Sequence, residues 1–179
     1  NRNRIRNVTG DVFLTVHVLT KDKFDQPINE VQINNNANWQ KKHWRSIVQN
    51  YQKTEFFDEY KNFFEKIYSN KYEKLSQLNE TIIRYIANEL EINVEIVKSS
   101  EFKPVGNKTD LLIDMCKKMD ADTYLSGRGG RKYVDKNKFE MNNLTNLYTN
   151  FKHPVYSQQF EPFIPNMSVI DLMFNHGSK

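Results

Sequence analysis

The spacing of the apolar residues changes part-way along the chain, and this change limits the possible folds more than any single motif. Three successive stretches, 39–52, 56–68 and 75–90, repeat apolar side chains every three or four residues. That period is typical of helices with one buried face. After about residue 91, short runs rich in β-branched residues alternate with one further helical stretch. The order of these periods predicts an α/β fold with a helical insertion from about 39 to 91.

The segment after this insertion predicts a strand–helix–strand unit. The runs 94–100 and 122–126 have the composition of strands, and the stretch 109–119 between them has the spacing of an amphipathic helix. Strands connected in this way run parallel, with a right-handed crossover. We therefore expect a mostly parallel, Rossmann-like sheet flanked by helices. Two further strands, 11–19 and 28–34, are predicted near the start of the chain.

Length and composition indicate one globular domain of residues 1–179. Hydrophobic residues make up 38% of the chain and aromatic residues 13%, which is enough for a core that relies on aromatic side chains. The formal net charge of +4 favours an anionic ligand only weakly. Basic residues are mixed with acidic ones along every predicted helix, which argues against nucleic-acid binding. The first residue is Asn1 and not Met, so we expect that a segment is missing upstream.

The single cysteine, Cys116, excludes an intramolecular disulfide and a multi-cysteine zinc site, and it favours a reducing compartment. No run of apolar residues approaches the length of a membrane span, and no signal peptide opens the chain. No histidine or cysteine has a partner at the spacing of metal ligands. We therefore expect a cytoplasmic protein with no membrane partner and no metal site, and the sequence specifies no cofactor.

The stretch YLSGRGGRKYVD, at 124–135, contains the strongest candidate for a binding loop. Glycines after a strand expose backbone N–H groups that can bind phosphate or carboxylate, and neighbouring arginines add charged hydrogen bonds. The ligand-binding candidates are Ser126, Gly127, Gly129, Gly130, Arg131 and Ser99, the last at the end of the predicted strand 94–100. The spacing matches neither the dinucleotide fingerprint nor the P-loop. A tight turn with solvated basic side chains is the alternative interpretation.

His43 and Trp44 form the second candidate group, within KKHWRSI at 41–47. We take His43 as a candidate catalytic residue and Trp44 as a ligand contact, because an aromatic ring beside basic residues can stack on a base or sugar and pair with a phosphate. The alternative is that the aromatic residues belong to the core. Trp39 and Trp44 point about 140° apart on a helix. We expect one to be largely buried and the other to lie at a cleft or a subunit surface.

Five ordered stretches of the chain resemble the WbqC-like proteins of bacteria. They are NRNRI at 1–5, KHWRSI at 42–47, YLSG at 124–127 followed by GGRKYVD, KHPVY at 152–156, and SVIDLMFNHG at 168–177. The resemblance covers the whole chain and implies a role in surface-polysaccharide biosynthesis, such as that of O-antigen. Members of the family usually begin with a segment containing a QPxYxPW-like motif, which implies that such a segment is missing here.

Together, the residues and the resemblance suggest an enzyme of bacterial surface-polysaccharide biosynthesis. We expect it to bind a phosphorylated small molecule, such as a nucleotide-sugar, and to act as a transferase. The alternative is a non-catalytic ligand-binding or assembly protein of the same pathway.

Overall fold

The structure, a computed structural model, describes residues 1–23 and 25–178 of the chain. The chain divides into two compact units. The first unit consists of Asn1–Val94 together with His153–Lys179, and the second consists of Glu95–Lys152.

The first unit opens with a hairpin of two antiparallel strands, β1 (Arg2–Asn7) and β2 (Gly10–Thr15), in which Ile5 pairs with Val12. The strand predicted at 11–19 is thus confirmed for its first half. No sequence pattern predicted β1, because its mostly polar residues lack the apolar alternation of a half-buried strand.

The strand predicted at 28–34 is wrong. Ile28–Glu30 forms a 3₁₀ turn that begins after Pro27, and only isolated bridges involve Gln32 and Ile33. Proline fixes φ near the helical value, so it favours entry into a turn over continuation of a strand.

Three helices follow as predicted: α1 (Trp39–Tyr51), α2 (Phe57–Ser69) and α3 (Leu75–Glu89). Their apolar faces pack around a core that also receives the hairpin and a later helix. The buried helical residues are Trp39, His43, Ile47, Tyr51, Phe57, Tyr60, Phe64, Ile67, Leu75 and Leu78.

The second unit contains α4 (Ser99–Phe102), α5 (Thr109–Lys118), β3 (Thr123–Ser126), α6 (Lys136–Met141) and β4 (Thr145–Tyr148). β3 and β4 run parallel, with Ser126 opposite Tyr148. A strand–helix–strand unit therefore exists, but it begins at β3, which was predicted as the last strand of the unit, and continues through α6 to β4. The predicted strand 94–100 is wrong, because no strand forms there and Ser99 begins α4.

The described residues do not form the predicted mostly parallel, Rossmann-like sheet. Their two sheets have two strands each, one antiparallel and one parallel, so the fold is mixed α/β. Alternate residues of β3 and β4 face the core of the second unit, where Phe139 and Ile113 are buried. The opposite face leaves Leu125 and Leu147 exposed.

The last helix of the first unit, α7, spans Val169–His176 and buries Ile170, Asp171, Met173 and Phe174. Within the described part of the chain, no helix combines the length and the apolar character that a membrane crossing requires.

Candidate functional site

The glycine-rich stretch forms a tight 3₁₀ turn, Arg128–Lys132, directly after β3. The N–H of Gly130 donates to the carbonyl of Gly127 at 2.9 Å, and the N–H groups of Tyr133 and Val134 donate to the carbonyl of Gly130 at 3.0 and 2.8 Å. The turn is thus held by its own backbone, and it lies at the carboxyl end of a parallel strand pair, where α/β proteins commonly bind ligands.

The three glycines of this turn have different surroundings. A Cβ atom on Gly130 would lie 1.9 Å from Oγ of the buried Ser126, so packing requires glycine there. A Cβ atom on Gly127 or Gly129 would meet nothing within 4 Å. Neither of these two has the positive φ that would favour glycine. The described contacts therefore give no reason for glycine at 127 and 129.

Two arginines of the turn reach toward the end of β4. Arg128 donates to the carbonyl of Phe151, and the guanidinium of Arg131 lies 5.2 Å from the ring centroid of Tyr148. Both arginines are exposed. The turn therefore carries two cations and two uncovered glycine backbones at one edge of the strand pair.

Ser99 was expected beside Ser126 because both were predicted to end strands. In the structure Ser99 is the exposed first residue of α4, so the reason for that expectation no longer holds. A role for Ser99 in ligand binding stays a prediction.

His43 lies on the buried face of α1, in the first unit, with only 6% of its surface exposed. Its Nε2–H donates to the carbonyl of Thr15 at 3.1 Å, and its ring meets Trp39 and Tyr68 edge-on. Burial lowers the pKa of His43 to about 4. At neutral pH the imidazole is therefore uncharged, and Nδ1 is the nitrogen left with a lone pair.

A cavity of about 350 Å³ beside His43 brings together residues that are far apart in the sequence. Its walls include residues of NRNRI, KHWRSI and SVIDLMFNHG, together with aliphatic side chains of α3. Trp39 also lines it, and the buried Nε1–H of Trp39 has no hydrogen-bond partner among the described residues. The wall also contains Tyr68 and Asn79, which no sequence pattern indicated.

The two tryptophans differ in exposure as the helical spacing predicted. Trp39 is 1% exposed, whereas Trp44 is half-buried and lines a separate groove. Trp44 stacks against Phe57 and Tyr68, at 6.2 Å between ring centroids in each case. A role for Trp44 as a ligand contact stays a prediction.

A buried carboxylate, Asp171, connects the parts of the first unit that carry the motif stretches. One oxygen accepts from Tyr51 Oη at 2.6 Å, and the other accepts from Tyr156 Oη and Gln158 Nε2 at 2.8 Å each. The Tyr51 oxygen in turn accepts the backbone N–H of Arg6 at 2.8 Å. No sequence pattern indicated this network.

The described residues contain no group of three or more His, Cys, Asp or Glu side chains that could hold a metal ion.

Comparison with known proteins places the chain in a family. The model of the WbqC-like protein family matches residues 1–179, which is the whole chain. The chain belongs to the WbqC-like protein family. It is also 32% identical, over 181 residues, to the uncharacterized protein Rv1507c of Mycobacterium tuberculosis, and the match covers 100% of this chain and 78% of that protein. No solved structure matches this WbqC-like chain.

Replacing Tyr51 with Phe tests the Asp171 network of this WbqC-like protein. The change removes the donor to Asp171 and the acceptor for the Arg6 N–H, so two buried polar groups lose a partner. We expect the free energy of unfolding to fall by about 2 to 4 kcal/mol in chemical denaturation. The control is Tyr133→Phe, whose ring is 55% exposed. Equal stability of the two variants would contradict a stabilising role for the network.

The pKa of His43 predicts a pH dependence of stability. The unfolded imidazole titrates near 6.5 and the folded one near 4, so the unfolded chain binds more protons between these values. The contribution is complete above about pH 6.5 and is lost as the pH falls toward 4; it amounts to about 3 kcal/mol. Denaturation curves at several pH values should show a shallower loss for His43→Gln than for the unmodified protein. Identical slopes would contradict this origin.

Proposed function

We propose that this protein binds a phosphorylated small molecule at the carboxyl end of β3 and β4. The observation that carries the proposal is the pair Gly127 and Gly129, where neither backbone conformation nor packing calls for glycine. A ligand that approaches the backbone closely would supply the missing reason, because any side chain would stand in its way.

Phosphate suits this position chemically. Backbone N–H groups after a strand are donors to phosphate oxygens, and arginine forms paired, charged hydrogen bonds with them. Arg128 and Arg131 both reach toward the end of β4, so a phosphate beside the glycines would lie near two positive charges. We propose a nucleotide-sugar as the specific ligand. Ser126 and Gly130 support the turn that binds it.

The wider role that we propose is a transferase of bacterial surface-polysaccharide biosynthesis, located in the cytoplasm. The resemblance to WbqC-like proteins and the single cysteine Cys116 support it. His43 is the candidate acid–base residue, because Nδ1 of its neutral ring can accept a proton.

One observation favours the alternative, a non-catalytic binding or assembly protein. His43 is buried, its Nε2–H is engaged by Thr15, and its pKa of about 4 makes it a weak base at neutral pH. If the protein is a transferase, His43→Gln should abolish turnover and leave binding of uridine diphosphate intact.

Alanine variants of the three glycines test the binding proposal. Gly127→Ala and Gly129→Ala should leave the stability unchanged or raise it by about 0.4 to 1 kcal/mol, since alanine restricts the unfolded chain. Both should weaken binding of uridine diphosphate in calorimetric titration by about tenfold or more, as expected from the loss of one or two charged hydrogen bonds. Arg131→Ala should weaken it by about 1.5 to 3 kcal/mol with little change in stability.

Gly130→Ala provides the contrasting control. Its Cβ would collide with Ser126 Oγ, so we expect a loss of about 1 to 3 kcal/mol in stability. Adding Ser126→Ala should restore part of that loss. Unchanged affinity in the Gly127 and Gly129 variants, or no binding of uridine diphosphate or pyrophosphate to the unmodified protein, would contradict the proposal.

A further inference from the structure

A groove of about 540 Å³ lies in the first unit, at the start of α1 and the end of α2. Its volume is within the range of small-molecule sites. Four amide side chains line it: Asn35, Asn38, Gln40 and Asn70.

Two of these amide side chains, Asn35 and Gln40, form hydrogen bonds within the protein, and the other two, Asn38 and Asn70, are open to a ligand. Asn35 donates to the carbonyl of Tyr72 at 2.9 Å and accepts from Gln40 at 3.2 Å, so these two side chains form a fixed wall. Asn38 precedes α1, but its side chain makes no capping hydrogen bond. Asn70 follows α2 and caps it with its backbone N–H, which leaves its side chain available. Neither open amide has a side-chain partner among the described residues.

An aromatic edge completes the groove. Trp44 stacks against Phe57 and against Tyr68, with interplanar angles of 17° and 24° respectively. Trp44 and Tyr68 both line the groove. They add an apolar surface beside the amides, and each carries a polar atom at its edge.

The net charge of the groove is only +1, because Lys41, Lys71 and the carboxylate of Glu65 are its charged lining residues. A polyanion would be matched by more positive charge, and an aliphatic ligand would leave the amides unpaired. Sugar hydroxyls donate and accept hydrogen bonds, as amides do, and the C–H faces of a sugar ring match aromatic surface. We propose that this groove is a saccharide-binding site for one or two sugar rings.

The proposed saccharide site is independent of the proposed phosphate site. Its residues belong to the first unit, whereas Gly127, Gly129 and Arg131 belong to the second. Substitutions in the groove leave the glycine turn unchanged, so the two proposals can fail separately.

Asn38 offers a test with a matched control. Its backbone is left-handed, with φ of 48°, so Asn38→Gly removes the amide without backbone strain. Asn143 has a similar backbone, with φ of 56°, is exposed and lies in the second unit. Asn143→Gly is therefore the same chemical change at a residue that is not among those lining the groove.

The experiment is saturation-transfer NMR followed by titration with galactose, mannose, rhamnose, N-acetylglucosamine and glucuronate. At least one of these sugars should bind in the millimolar range or tighter. Asn38→Gly and Asn70→Ala should each weaken that binding by about three- to tenfold, the effect of one lost hydrogen bond. Asn143→Gly should leave it unchanged.

Several results would overturn the proposal. They are the absence of binding by every sugar in the panel, equal weakening by Asn38→Gly and Asn143→Gly, and displacement of the bound sugar by inorganic phosphate. Retention of full affinity in both groove variants would place the sugar elsewhere and would overturn it as well.

Discussion

The first unit depends on the buried carboxylate of Asp171. Three donors surround it, and they come from α1 and from the irregular segment before α7. An isolated charge without these donors would cost several kcal/mol in the core, so the segments that supply them are fixed in position by the charge. Tyr51 extends the same constraint to β1 through the Arg6 N–H. Burial and the Asp171 carboxylate also raise the pKa of Tyr51, so its hydroxyl remains a donor at neutral pH.

Arg6 forms a second set of hydrogen bonds in the same region, and their acceptors are backbone carbonyls. Its guanidinium donates to the carbonyls of Asn7, Gly10, Phe160 and Pro162, and it is 1% exposed. A planar group with five donors can satisfy these four carbonyls at once, whereas the ammonium of lysine has only three donors. The hairpin and the segment before α7 are therefore joined by one side chain, and the cavity beside His43 lies on the same hairpin.

The sequence predicted the fold best where the spacing of apolar residues alone determines the element. The helices α1 to α3 and α5 follow from apolar spacing, and the exposure of Trp39 and Trp44 follows from the geometry of α1. Strand pairing was less predictable, because the β-branched run at 94–98 forms no strand while the short, polar β4 pairs with β3. Pairing depends on partners distant in sequence, and local propensity does not identify them.

For the candidate site, the sequence identified the glycine turn but not the different surroundings of its three glycines. It also could not show that three motif stretches meet at one cavity, since that convergence exists only in the tertiary structure. Ser99 does not end a strand, because no strand forms at 94–98 and Ser99 begins α4.

The contacts of the first unit join the two ends of the chain. Asn3 Nδ2 donates to Ser168 Oγ across 165 positions, and the N–H of Ser168 donates to the carbonyl of Arg4. During synthesis from the N-terminus, β1 is made long before α7, whereas the second unit is contiguous in sequence. Contacts of large sequence separation form late, because the intervening chain must first be ordered. The second unit can therefore complete its core before the residues that bury Ile5 and Arg6 have been synthesised.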